Sequence, residues 1–352
     1  MFMALVRARL ALALLLLCPL MAAAQDTSVD APPPPPADSQ GNSQADQSQN
    51  PPPEQSAETL KVNVDVVNVF CNVKDKHGAL IPNLKKGDFE LNEDGKPQTV
   101  KYFSADTEQP LTLGLLMDTS GSMIQVIPAE KEVAGEFLNQ VLRPKDLAFF
   151  LTFDVDVELL QDFTSSPRQI RHAMEQAKVN APPSPGGGLP GLGGGPLPTS
   201  IATPGTTLYD AVFLAADEKL ATETGRKALI IMSDGVDEGS KIRLREAVES
   251  AQKADVICYV LLFTRGIYGS RGDQYMKQLA EETGGRVIEV SEKFDKLKQG
   301  FDQIANELRT QYALGYTPTN GKKDGTFRKI DLKTKEGYKV QARRGYYAIA
   351  QR

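Results

Sequence analysis

Three oxygen-bearing side chains follow one largely apolar stretch of the sequence at alternate positions. Asp118, Ser120 and Ser122 come directly after residues 111–117. That run has no polar alternation, which is typical of a strand buried on both faces of a parallel sheet. Ligands of open α/β sheets usually bind at the carboxyl ends of such strands, and one carboxylate with two hydroxyls suits Mg²⁺. The same residues could instead cap a helix, because Asp and Ser are good N-cap residues.

Two later segments could complete a cation site at the same edge of the sheet. Residues 204–210 open a predicted helix, and Thr206 lies there directly after Gly205. Residues 231–235 end a second buried strand, where Asp234 supplies another carboxylate. Since the carboxyl ends of parallel strands lie along one edge, we expect the three segments to place their oxygens close together.

Together, the three segments resemble the metal-ion-dependent adhesion site (MIDAS) of von Willebrand factor type A (VWA) domains. The shared pattern is Asp-x-Ser-x-Ser after a buried strand, Gly-Thr-x-Leu-Tyr-Asp-Ala before a helix, and Ser-Asp-Gly after the next buried strand. Flanking stretches within 87–97 and 312–347 are also similar to a bacterial secreted family described as VWFA-related. Carried over position by position, the resemblance implies five metal-site residues: Asp118, Ser120, Ser122, Thr206 and Asp234.

The resemblance implies a secreted protein that uses the cation for binding. Ser120 and Ser122 would bind Mg²⁺, or Mn²⁺, directly, while Asp118 and Asp234 would act through water. One open coordination position would accept an Asp or Glu of a partner protein. The motif contains no nucleophile activated by a neighbouring His and no evident general base, so we expect no enzyme activity. The alternative is a structural or assembly component of a cell-envelope complex, with a hydrolase as the third possibility.

Composition and charge limit the classes of partner. The 352-residue chain has 40 Lys and Arg against 45 Asp and Glu, a net charge of −5. A mildly acidic chain without a basic run is a poor candidate for binding nucleic acid. His77 and His172 are far apart and have no His or Cys at ligand spacing nearby. This spacing argues against a His-based zinc site.

The first 58 residues predict a secretory signal peptide followed by a linker. Arg7 and Arg9 precede an apolar run at 10–17, and small residues end at Ala24, after which we expect cleavage. The protein would then be secreted, periplasmic or part of the cell envelope; an uncleaved membrane anchor is the alternative. Residues 25–58 are rich in Pro, Gln and Ser, which predicts a disordered linker. No later segment is long and apolar enough to span a bilayer.

The remaining chain predicts an α/β domain between two β-rich flanks. Residues 59–108 and 310–352 contain short strands with alternating polarity, and an Asp-Gly pair at 94–95 signals a hairpin. Between them, in 109–309, strands alternate with helices, which favours a doubly wound, mostly parallel sheet. Three strands are barely stable alone, so we expect the flanks to form one small antiparallel β-sandwich into which the α/β domain is inserted.

Several details of this organisation are further predictions. Residues 147–160 are expected to form one bent strand, and residues 339–347 are expected to form a single strand of alternating polarity. The Gly/Pro-rich loop 182–204 lacks the Gly-Lys-Ser/Thr ending of a phosphate-binding loop, so it predicts either a disordered insertion or a segment that shapes partner choice. Cys71 and Cys258 lie in apolar strand-like runs. They could pair in an oxidising compartment, although two buried free thiols are favoured.

Overall fold

The computed structural model describes residues 66–105, 109–179, 205–264, 271–290 and 294–348. All of them belong to one compact unit of the chain, residues 61–352. The predicted signal peptide, the linker and the Gly/Pro-rich loop 182–204 lie outside the described residues. Within those ranges, none of the helices has the length and apolar character needed to cross a membrane.

Fourteen strands and six α-helices make up the described part of the chain. The strands are β1 (Val67–Lys74), β2 (Phe89–Glu93), β3 (Lys96–Gln98), β4 (Val100–Ser104), β5 (Leu111–Asp118), β6 (Leu147–Phe153), β7 (Val157–Thr164), β8 (Arg226–Ser233), β9 (Val256–Phe263), β10 (Val287–Val290), β11 (Tyr312–Tyr316), β12 (Phe327–Thr334), β13 (Lys339–Ala342) and β14 (Gly345–Tyr347). The helices are α1 (Ile127–Val141), α2 (Pro167–Gln176), α3 (Leu208–Leu214), α4 (Leu244–Lys253), α5 (Arg271–Thr283) and α6 (Phe294–Arg309). A π-helical turn, Ala215–Leu220, continues α3.

Six strands form the central sheet, in the order β10-β9-β8-β5-β6-β7. Neighbouring strands are parallel except for β7, which is antiparallel to β6. Strands β5, β8 and β9 are buried along their whole length because helices cover both faces. Helices α1, α2 and α6 pack on one face, and α3, α4 and α5 pack on the other. The predicted doubly wound, mostly parallel sheet is therefore confirmed.

The two β-rich flanks pair into one antiparallel sandwich. Its sheets have the orders β13-β1-β11-β4 and β14-β12-β2-β3. Strand β1 pairs with β11, with Val67 opposite Tyr316, and β2 pairs with β12. Side chains from both flanks, including Val69, Leu91 and Leu314, share one apolar core. The α/β segment from β5 to α6 is thus inserted into a sandwich built by both flanks, as predicted.

The expected hairpin in the first flank is also present. Asp94 and Gly95 join β2 to β3 with φ angles of 48° and 78°. Positive φ at both central positions is the geometry of a type I′ turn, which explains the preference for the Asp-Gly pair.

Two strand predictions were wrong. Residues 147–160 do not form one bent strand: β7 folds back against β6 through a short hairpin, with Phe153 opposite Val157. An antiparallel partner can follow after a short turn, and no residue of β7 is fully buried because β7 is an edge strand of the sheet. Residues 339–347 also divide, because β13 pairs with β1 whereas β14 pairs with β12 in the opposite sheet. The chain changes sheets at the corner of the sandwich.

The two cysteines of the described chain are both buried and unpaired. Cys71 lies in β1 and Cys258 lies in β9. Burial raises the pKa of Cys258 to about 12, so this thiol stays protonated and unreactive at neutral pH. The structure therefore agrees with the favoured prediction of two buried free thiols.

Candidate metal centre

Asp118 ends β5 and is fully buried, with 0% of its surface exposed. Met117 lies opposite Met232 in the parallel pairing of β5 with β8, so the next residue of β8, Ser233, lies beside Asp118. Ser233 Oγ donates a hydrogen bond to Asp118 Oδ2 at 2.6 Å, and the backbone N–H of Ser120 donates to Oδ1 at 2.9 Å. Both carboxylate oxygens are therefore held in a fixed orientation.

The hydroxyls of Ser120 and Ser122 lie next to one another, 3.0 Å apart. Ser120 precedes a short 3-10 turn, Gly121–Met123, and its side chain makes no capping hydrogen bond there. Helix α1 begins only at Ile127, with Val126 at its N-cap position. The helix-cap interpretation of the motif is therefore not supported. The two hydroxyl oxygens lie side by side.

Asp234 directly follows β8, in a tight loop. Its Oδ1 accepts a hydrogen bond from the backbone N–H of Val236 at 3.2 Å. Gly235 has a φ of +78°, and a Cβ there would come 2.9 Å from a side-chain carbon of Leu262. The positive φ favours glycine, because other residues are strained in that conformation. The negative charge of Asp234 acts on Asp118, so the two predicted carboxylates lie within electrostatic reach of one another.

Thr206 is connected to the Asp118 loop indirectly, through Asp154 at the end of β6. The backbone N–H of Thr207 donates to the Asp154 carbonyl at 2.7 Å. The Asp154 carboxylate in turn accepts a hydrogen bond from Thr119 Oγ1 at 3.0 Å. The carbonyl of Thr206 accepts one from the N–H of Glu238 at 3.1 Å. Thr206 therefore lies between the loops that follow β6 and β8, and only 7% of its surface is exposed.

A second set of hydrogen bonds fixes the start of α3 to the loop after β8. The N–H of Tyr209 lies 3.0 Å from Ser240 Oγ and 3.2 Å from Asp237 Oδ1. In the other direction, Asp210 Oδ1 accepts hydrogen bonds from the N–H groups of Lys241 and Ile242. These contacts hold the Thr206 segment against the Asp234 loop, so all three predicted segments meet at the carboxyl edge of the sheet.

The electrostatics of the centre favour a cation. Burial raises the pKa of Asp118 to about 6, the hydrogen bonds from Ser120 and Ser233 oppose that rise, and the charge of Asp234 adds to it. Burial also raises the pKa of Glu130, in the first turn of α1, well above its ordinary value, and the charge of Asp118 adds to that rise. A cation offsets the cost of ionising acidic groups that are buried near one another.

The donor atoms indicate which ion fits. Among the residues that the structure describes, no three His, Cys, Asp or Glu side chains come together as a metal-binding group. A cation here would have to use serine and threonine hydroxyls as well as carboxylates. Hard ions such as Mg²⁺ and Mn²⁺ accept such oxygens, so the residues present fit the predicted ion class.

Sequence reasoning missed several residues of the centre. Ser233 belongs to the quoted Ser-Asp-Gly segment, but only the strand register shows that it bonds Asp118. Thr119 and Asp154 connect the loops without belonging to the motif. The burial of Glu130 could have been predicted from helical spacing. Apolar residues follow it at three, four and seven positions along α1, so it shares their buried face.

The sequence matches no family model and no curated protein. Similar solved structures include proximal thread matrix protein 1 (PTMP1) from the mussel byssus, with 14% identity over 62% of this chain and 51% of that chain, and a TM-score of 0.46. A second PTMP1 structure has a zinc-occupied MIDAS motif (15% identity, 60% of this chain and 48% of that chain, TM-score 0.45). This chain thus spans about half the length of PTMP1.

Two bacterial structures are similar over a comparable part of the chain. They are BatB from Bacteroides thetaiotaomicron (16% identity, 56% of this chain and 98% of that chain, TM-score 0.41) and the vWF domain of the type V pili tip protein Mfa5 from Porphyromonas gingivalis (12% identity, 56% and 94%, TM-score 0.44). With such identities and TM-scores below 0.5, these likenesses carry no argument about function.

Proposed function

We propose that this chain binds a divalent cation, Mg²⁺ or Mn²⁺, at the carboxyl edge of its central sheet and uses it to capture a carboxylate of a partner protein. The observation that carries the proposal is the arrangement around Asp118. A buried carboxylate is fixed by Ser233 and by the backbone of Ser120, and the hydroxyls of Ser120 and Ser122 lie 3.0 Å apart beside it. This is a preformed set of hard oxygen donors.

Each residue of the centre has a role in this proposal. Ser120 and Ser122 would hold the cation directly, and Thr206 would complete the donor set from the α3 side. Asp118 and Asp234 would act through water and orient it. When bound, the cation would supply a positive charge with one coordination position left for a partner's Asp or Glu. Neutral hydroxyls in the first coordination shell would leave that charge strong enough to attract an anionic ligand.

We favour binding over hydrolysis because neither histidine belongs to the centre. His77 lies in the turn after β1, where its backbone N–H bonds Asp75, and His172 lies on α2 beside Gln176 and Glu175. Neither is placed to activate Ser120 or Ser122 as a nucleophile.

The first test measures cation binding and its effect on thermal stability. Wild-type protein titrated with Mg²⁺, Mn²⁺, Ca²⁺ and Zn²⁺ should bind Mg²⁺ or Mn²⁺ and show a higher Tm with it, because ligands that bind only the folded state stabilise it. Asp118→Ala should lose both effects. Asp331→Ala is the matched control, since that carboxylate is exposed and pairs with Lys333 in the sandwich. Absence of cation binding in the wild type would refute the proposal.

The second test concerns the partner and the cell compartment. Partners captured by the wild type should be released by EDTA and should not be captured by Asp118→Ala; retention in EDTA would contradict a metal-bridged contact. We further propose that the chain is exported and acts outside the cytoplasm. N-terminal sequencing of the protein recovered from its native host should then begin after Ala24, and an intact N-terminus would contradict cleavage.

A further inference from the structure

Glu130 is a buried acidic side chain that lacks a hydrogen-bond partner in the described part of the chain. It lies in the first turn of α1, which begins directly after the loop that carries Ser120 and Ser122. Its exposed surface is 0%, and neither carboxyl oxygen has a hydrogen-bond partner among the described residues. The helix neighbours Ile127 and Val133 belong to the apolar core on that face of the sheet.

A carboxyl group in this position is costly. Leaving a buried polar group without a hydrogen bond destabilises the folded state, and does so more strongly when the group is charged. Leu or Met would fill the same space in the core without that cost. The position therefore calls for a partner beyond the side chains that surround it.

The geometry of the helix directs Glu130 towards the centre. Long side chains of an α-helix lean towards its N-terminus, which for α1 is the end joined to the Asp118 loop. The electrostatic interaction between Glu130 and Asp118 agrees with this direction. Two acidic groups that interact in a buried, low-dielectric region destabilise one another unless a positive charge lies between or beside them.

We propose that Glu130 is a positioning residue of the cation site, whose carboxylate accepts hydrogen bonds from water held by the cation. This inference rests on the function proposed above and deepens it. Glu130 is an outer carboxylate that acts through water and does not occupy the coordination position meant for the partner. It strengthens cation binding at the expense of the stability of the metal-free protein.

The test compares two glutamates buried on helices. Glu130→Gln keeps the size of the side chain and removes its charge. It should raise the Tm of the metal-free protein, because a buried ionisable group next to Asp118 is gone, and should weaken Mn²⁺ binding about 10-fold, a typical effect of losing a group that orients metal ligands. Glu307→Gln is the matched control, since Glu307 is buried on α6 and paired with Lys74 and Arg286. It should lower the metal-free Tm and leave the Kd for Mn²⁺ unchanged.

The outcomes separate this inference from the proposed function. If the wild type binds no Mn²⁺ by isothermal titration calorimetry, the proposed function fails. If the wild type binds Mn²⁺ and Glu130→Gln binds it with the same Kd, the inference is overturned and the proposed function stands. Failure of Glu130→Gln to fold would contradict the claim that Glu130 destabilises the metal-free protein. Glu130→Met then carries the affinity measurement, with the same weakening expected and an unchanged Kd again overturning the inference.

Discussion

Two regions of this molecule bury acidic side chains in opposite ways. At the joint between the α/β domain and the sandwich, Glu307 accepts hydrogen bonds from Lys74 Nζ at 2.9 Å, from Arg286 Nε at 2.6 Å and from Gln341 Nε2 at 3.1 Å. At the carboxyl edge of the central sheet, Asp118 accepts hydrogen bonds from Ser233 and from the backbone of Ser120, and Glu130 has no hydrogen-bond partner among the described residues. The joint neutralises its charge with Lys and Arg side chains, whereas no Lys or Arg of the described chain bonds these two acids.

The sandwich buries another acid, with neutral hydrogen-bond donors. Glu93 is 2% exposed, and its Oε2 accepts hydrogen bonds from the phenol of Tyr316 at 2.7 Å and from that of Tyr346 at 3.0 Å. Glu307 and Glu93 thus both receive donors from residues far away in the sequence. Burial alone therefore does not mark a functional acid, whereas a buried acid without a donor among the described residues, such as Glu130, is a candidate for one.

Breaking the joint should have the largest effect on stability. Glu307→Ala removes the acidic partner of Lys74 and Arg286. We expect a loss of about 3 kcal/mol in the free energy of unfolding, because the two positive charges are then partly buried without a negative charge to compensate them. Urea unfolding measures the change. Lys298→Ala breaks an exposed pair with Glu136 and should cost less than about 1 kcal/mol. Equal losses in the two variants would contradict a special role for the joint.

The pH dependence of stability in the metal-free protein should show that no cationic side chain neutralises Asp118. The pKa of Asp118 is raised from 3.8 to about 6, so folding favours its protonated form. This contribution is fully present below about pH 4 and is lost as pH rises through about 6, a total of about 3 kcal/mol. The stability of the wild type relative to Asp118→Asn should therefore fall between pH 4 and 7 in EDTA.

Saturating Mn²⁺ provides the control for this pH profile. The proposed cation favours the ionised form of Asp118, so the wild type should gain stability relative to Asp118→Asn as pH rises with Mn²⁺ present. Parallel profiles of the two proteins in EDTA would show that Asp118 is neutralised in some other way.

Removing one hydroxyl from the edge and one from the sandwich should have the smallest effect on stability and give the clearest difference in metal binding. Ser233→Ala removes a donor to Asp118, and Tyr346→Phe removes a donor to Glu93. Each should cost about 1–2 kcal/mol in urea unfolding, as expected for a hydrogen bond to a buried carboxylate. Only Ser233→Ala should also weaken Mn²⁺ binding, by about 10-fold. A similar Kd for both variants would remove the distinction between the regions.

Much of the architecture could be predicted because local patterns determine it. The apolar runs of β5 and β8 marked buried parallel strands, the Asp-Gly pair marked the β2–β3 hairpin, and the marginal size of each flank implied that the two flanks pair. The predictions failed where the local pattern was compatible with two arrangements. The alternation in β7 fits an antiparallel edge strand as well as a continuation of β6, and the segment containing β13 and β14 alternates without showing where it changes sheets.

The sequence by itself determined the candidate cation-site residues, because each of them follows a predicted strand or opens a predicted helix. They are Asp118, Ser120, Ser122, Thr206 and Asp234. Only the tertiary structure decided which partners those side chains have. Ser233 reaches Asp118 through the register of β5 with β8, Thr207 next to Thr206 is joined to the Asp118 loop through Asp154, and Glu130 has no hydrogen-bond partner among the described residues. The periodicity of apolar residues shows which face of a helix or strand is buried. The hydrogen bonds join residues that are distant in the sequence, so they depend on the strand register and on how the helices pack.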